Sequence, residues 1–186
     1  MKKRYALIMI VLVGLLSPTW ADERVTIPEM GLSMSLPQDW FLVPQDQAAQ
    51  MTSKGSAIIA TDGEDDQFIL VISKEPASDR SVAYAISSTV HYVYNTMRGF
   101  VDEEEDMTIG GEKAFRLRYQ GSFAKDGSLP KRYLRVLAQK DGFLYTFQGS
   151  TQQDFFKKHE GTLLSILKTV SWTKIDPEGI KEEDYE

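Results

Sequence analysis

The chain has 186 residues, with 27 acidic against 21 basic side chains, a formal net charge of −6 and no cysteine. That balance argues against nucleic acid as a partner, because phosphate binding needs clustered positive charge, and it offers no electrostatic attraction to anionic lipid. The missing thiols exclude a disulfide framework, thiolate metal sites and cysteine nucleophiles.

Lys2, Lys3 and Arg4 precede an apolar run over residues 5–16, and a small-residue exit ends at Thr19-Trp20-Ala21. This is the order of an export signal. As a helix the run of about 12 residues reaches roughly 18 Å, short of the roughly 30 Å hydrocarbon core, so no stable membrane insertion is expected after cleavage. Cleavage after Ala21 would start the mature chain at Asp22, remove three basic residues and leave a charge of about −9; without cysteine there is no acceptor for a lipid. The expected location is periplasmic or secreted. Residues 22–174 suit one domain, followed by an acidic tail over 175–186 that is expected to be disordered.

Along the mature chain, residues 25–27 and 32–36 are β-prone runs around Pro28-Glu29-Met30-Gly31, an opening hairpin, and Pro37-Gln38-Asp39-Trp40 then breaks the pattern. Runs at 56–61 and 68–73 form a second hairpin with the acidic segment 62–67 at its tip. From an N-cap at Ser78 or Asp79, Val82, Ile86, Val90, Val93 and Met97 recur at helical spacing, which predicts an amphipathic helix ending at 97. A strand over 106–109, a turn at Gly110-Gly111 and a long run over 112–123 predict a third hairpin. In its second arm Phe115, Leu117 and Tyr119 alternate with Arg116, Arg118 and Gln120.

Asp141-Gly142 between 133–139 and 143–150 is a strong two-residue hairpin signal, and counting outwards pairs Lys140 with Phe143, Ala138 with Tyr145 and Val136 with Phe147. A capping-box-like start at Thr151 with Asp154 opens the last helix, whose stripe is Phe155, Leu163, Ile166 and Val170, with Gly161 as a point where it could split. The fold class expected is α+β, with a core built on an antiparallel sheet.

The opening Gly31-Leu32 through Leu36-Pro37-Gln38-Asp39-Trp40, the middle helix, Gly110-Gly111 before a long strand, the aromatic hairpin and a final helix ending at Val170-Ser171-Trp172 together resemble the PsbP-like, or Mog-like, family. The resemblance runs from about Val25 to Trp172. It implies an α/β/α sandwich with a mainly antiparallel central sheet flanked by helices. It also implies binding without catalysis, since such domains serve as a photosystem II subunit, as a partner of a nuclear-transport GTPase and as bacterial envelope or adaptor proteins. It carries no functional residues over.

The inventory of chemical groups points the same way. His91 and His159 are the only histidines and read as helix-surface or boundary residues, and no serine lies in a nucleophile elbow. The acidic clusters at 62–66 and 102–106 lack the calcium-loop order and read as a solvated hairpin tip and a solvated connection. No catalytic residue, metal site or cofactor is expected. The candidate binding residues are Arg116, Arg118 and Arg135, which alternation would place on one face with Leu137, Leu144 and Gln148, away from Phe115, Leu117, Val136 and Tyr145. The functional expectation is a non-catalytic envelope binding or adaptor domain that recognises a protein partner through a sheet face or groove. The alternative is a small-ligand or ion-binding periplasmic module.

Overall fold

The structure, a computed structural model, describes residues 22–52, 55–61, 68–77, 81–122 and 130–173. The expected signal segment, the acidic tip at 62–67, the N-cap candidates Ser78 and Asp79 and the tail from 175 lie outside the described residues. Among the described residues no helix is long and apolar enough to cross a membrane.

Strands β1 (Glu23–Ile27) and β2 (Leu32–Leu36) pair antiparallel around a single 3-10 turn, forming the expected opening hairpin. After the break at 37–39, β3 (Trp40–Leu42) leads into helix α1 (Gln45–Met51), then β4 (Ala57–Thr61) and β5 (Ile69–Pro76) pair as the second hairpin. Helix α2 (Val82–Asn95) is capped by Ser81, whose side chain accepts a hydrogen bond from the Tyr84 amide at 3.2 Å. The cap therefore falls two to three residues later than expected.

Strands β6 (Phe100–Ile109) and β7 (Glu112–Gly121) follow, then β8 (Lys131–Lys140) and β9 (Phe143–Gln152), helix α3 (Gln153–Lys168) and the short β10 (Ser171–Trp172). The acidic run at 102–106 is not a solvated connection, because β6 begins at Phe100 and places it opposite the arginines of β7. At the next hairpin Asp141 and Gly142 have φ of 49° and 81°, the left-handed pair of a tight two-residue turn. Lys140 opposes Phe143, Ala138 opposes Tyr145 and Val136 opposes Phe147, in the register counted from the turn. The last helix departs from its expected start: Thr151 belongs to β9, the N-cap is Gln152 without a side-chain bond, and the helix runs unbroken through Gly161.

The seven-stranded sheet has the order β3-β4-β5-β9-β8-β7-β6 with every neighbour antiparallel, and β1-β2-β10 form a second, three-stranded sheet. Both faces of the large sheet carry helices, as an α/β/α sandwich requires. On one face α3 and the small sheet bury Leu70, Ile72, Leu134, Val136, Ala138 and Phe147. Tyr145 ties the layers together there, its hydroxyl donating to the Met30 carbonyl at 2.9 Å. On the opposite face α2 packs Val93 and Met97 against Leu117, Tyr119, Tyr133 and Leu137, while α1 packs Ala48 against Ile58 and Ala60.

Candidate functional site

The three arginines are not on one face. Arg116 stands opposite Val136 and Arg118 opposite Leu134, on the side that α3 covers, whereas Arg135 stands opposite Leu117 on the α2 side. Alternation within a strand gives two faces but not their phase relative to the next strand. Between β7 and β8 the connection over 122–130 is too long to count across, so the expected shared face is one residue out of step.

Arg116 and Arg118 are committed to acids. Arg116 donates to Glu103 at 2.6 Å and to Glu105, with its side chain only 14% exposed. Arg118 reaches Glu103 at 2.8 Å and Glu160 of α3 at 3.3 Å, and Arg132 pairs with Asp102. A bulge between Val101 and Glu103 interrupts the ladder, which lets the consecutive Asp102 and Glu103 both reach arginines. This network clamps β6, β7, β8 and α3 together.

Arg135 differs in having only neutral acceptors. Its Nε donates to the Gln148 side-chain oxygen at 2.9 Å, its Nη1 to the Thr89 hydroxyl at 2.7 Å and its Nη2 again to Gln148. No carboxylate among the described residues forms an ion pair with it. The Tyr119 hydroxyl also donates to Gln148, at 3.3 Å. Burial raises the Tyr119 pKa, while Arg135 pulls it down and Tyr92 adds to the rise. The phenol is therefore neutral at neutral pH.

Beside Arg135 lies an open groove of about 500 Å³. One wall is the first half of α2, with Tyr84, Ser88 and Thr89, and the other is Thr52 and Ser56 between α1 and β4. Its floor is the middle of the sheet: Ser73 of β5, Leu144 and Thr146 of β9, and Arg135 and Leu137 of β8. Ser73 and Thr146 form one cross-strand pair and Thr146 and Leu137 the next, so the row across the floor mixes hydroxyls with one leucine. Such a row gives a helix little to bury, and the seven-residue α1 stops short of α2. Tyr84 stays 56% exposed at the rim.

Sequence reasoning named Arg135 and placed Gln148 on its face, where the register sets it directly opposite, but missed Thr89, which orients the guanidinium with it. Thr89 carried a signal: it lies between Ile86 and Val93 on the apolar side of the helix and is buried at 3% exposure. The histidines stand apart from the groove. His91 is on the exposed side of α2 beside Asn95, as expected, but His159 is buried at 3% exposure, not at a boundary. Its ring packs 5.3 Å from Phe68 and 6.1 Å from Trp40, because α3 presses that turn against the sheet. The Trp40 of the opening motif is thus core.

No protein-family model matches the chain, and no curated protein matches it in sequence. Its fold is matched by solved structures. The cyanobacterial PsbP protein CyanoP of Synechocystis sp. PCC 6803 is 19% identical with a TM-score of 0.56, covering 82% of this chain and 93% of its own. LpqN of Mycobacterium tuberculosis, described as involved in cell envelope biogenesis, is 17% identical with a TM-score of 0.56, covering 77% and 83%. The Saccharomyces cerevisiae Ran-binding protein Mog1p is 7% identical with a TM-score of 0.58, covering 84% and 97%.

Proposed function

We propose that this chain, with its PsbP/Mog-like fold, is an exported, non-catalytic binding or adaptor domain of the bacterial cell envelope, and that it recognises a protein partner through the groove between α1 and α2. The observation that carries the reading is Arg135, a guanidinium held in place by neutral acceptors beside an uncovered stretch of sheet. An interior face left open on a sheet otherwise covered on both sides is a natural seat for something the chain does not itself supply. The structural neighbours described as Ran-binding and as involved in cell envelope biogenesis support binding as the mode of action. Neither histidine lines the groove, which removes the commonest general base from it.

A photo-crosslinking residue at Ser88 on the groove wall, introduced in the native host, tests this. One defined envelope protein should be captured, and the same residue at Lys157 on the exterior of α3 should not capture it. Equal capture from both positions would sink the proposal. The second reading, a small-ligand module, is favoured by the groove's volume, which lies within the roughly 300–1,000 Å³ of small-molecule sites. A saturable thermal shift with a small ligand, and no crosslinked partner, would select it. Export is tested by N-terminal sequencing of the mature protein, which should begin within a few residues of Asp22; a product that retains Met1 and needs detergent for release would refute it.

A further inference from the structure

We infer that the group seated at Arg135 is a carboxylate carried by an extended, acidic segment of the partner. The inference rests on the groove reading above and adds the chemistry of the occupant. Three of the five N–H groups of Arg135 are directed to Gln148 and Thr89, which leaves one on each terminal nitrogen without an acceptor among the described residues. Arg116, Arg118 and Arg132 each face carboxylates of this chain. Arg135 alone of these four has its charge met only by dipoles, so an incoming carboxylate gains most there.

The charge count selects the class of anion. Arg135 is the one arginine of the groove and the chain as a whole carries −6; of the other charged lining residues, Lys74 rests its ammonium over the Phe143 ring at 4.2 Å, and Glu75 adds a carboxylate at the far end from Arg135. A phosphate dianion would meet twice the long-range repulsion with a single guanidinium to offset it, whereas a carboxylate needs one. The neighbouring Tyr119 phenol stays neutral, so it adds no repulsion.

The occupant is a segment and not an isolated acid, because one half-buried guanidinium gives a small acid little affinity. The floor supplies the rest. From Val71, in the row of Arg135, to Glu75 at the far end, β5 runs four residues, or about 13 Å at roughly 3.3 Å each, enough for about four extended residues. The half-buried Val71 offers apolar contact along that line, and Ser73 and Thr146 offer hydroxyls, while Leu137 and Leu144 are buried beneath them.

The test uses the full chain and two labelled pentapeptide pools, with Glu or Gln fixed at the centre and small apolar or hydroxyl residues elsewhere, followed by fluorescence anisotropy. The Glu pool should bind about tenfold more tightly, and added salt should shrink that advantage. Arg135→Gln should abolish it, and Arg135→Lys, which keeps the charge but loses the planar fork, should reduce it at an unchanged melting temperature; Arg118→Gln should leave it intact. Equal binding of both pools, each blocked by Thr146→Tyr, would overturn the carboxylate while sparing the groove. Binding indifferent to Thr146→Tyr, or no binding by either pool, would remove the groove itself as the peptide site. Free glutarate competing as strongly as the Glu pool would replace the peptide by a small acid and defeat the inference.

Discussion

The two faces of the seven-stranded sheet solve the same problem differently. Under α3 and the small sheet, aliphatic and aromatic side chains close the face, and the arginines at its β7 end are neutralised by acids of β6 and α3. Under α1 and α2, apolar contacts close only the two ends, and the middle is left as a polar groove with Arg135 on neutral partners. An arginine that is paired within the fold serves stability, and one held by dipoles keeps its charge available to a ligand.

The largest effect should come from the closed face. Phe147 has 0% exposure at its centre, and Phe147→Ala should cost about 3–5 kcal/mol in denaturant unfolding. A cost below about 1 kcal/mol would mean that this layer is loosely packed and the contrast false.

Alkaline titration follows in size and samples both faces. Burial pushes the pKa of Tyr145, on the α3 face, and of Tyr133, on the α2 face, up to about 12, with Asp141 adding to the first and Tyr119 and Tyr92 to the second. Raised folded values mean stability that is whole below pH 10 and lost as pH rises through 10 to 12. By pH 11 the two together should cost about 2–3 kcal/mol, and Tyr133→Phe or Tyr145→Phe should each remove about half of that loss. If one substitution removed all of it, only one face would shield its tyrosine.

The arginines should separate next. Arg116→Ala leaves Glu105 without its arginine and Glu103 with Arg118 alone, and should cost about 1.5–3 kcal/mol, whereas Arg135→Ala removes bonds to neutral groups and should cost about 1 kcal/mol. Equal losses would erase the distinction on which the groove reading stands. The smallest effect belongs to the groove floor: Thr146→Tyr, projecting into open space, should change the melting temperature by no more than a surface substitution does, within about 0.5 kcal/mol. A large loss would show that the groove is closed in solution.

How much of this was legible in the chain depends on the range of the contact. The β8–β9 register could be counted residue by residue, because Asp141-Gly142 permits only a two-residue connection. The period of Ile86, Val90, Val93 and Met97 located α2, and the alternation of Phe115, Leu117 and Tyr119 located β7. Local stereochemistry and hydrophobic period act over a few residues, so these were written in the sequence.

Other features depended on partners distant in the chain. The strand status of the acidic run at 102–106 follows from arginines 11 and more residues away, and the burial of His159 from Trp40 and Phe68 on another layer. The division of Arg116 and Arg118 from Arg135 was set by the β7–β8 register, and the pairing of Arg135 with Thr89 by the way α2 lies on the sheet, 46 residues earlier in the chain. The sequence by itself therefore determined the main hairpins, α2, the two-residue turns and the antiparallel core, but not α1, β3 or β10. Only the tertiary structure decided which of Arg116, Arg118 and Arg135 meets no carboxylate among the described residues and where the groove opens, because a charge is neutralised by whatever packs beside it, and neighbours in space are set by strand phase and helix placement, which no local pattern encodes.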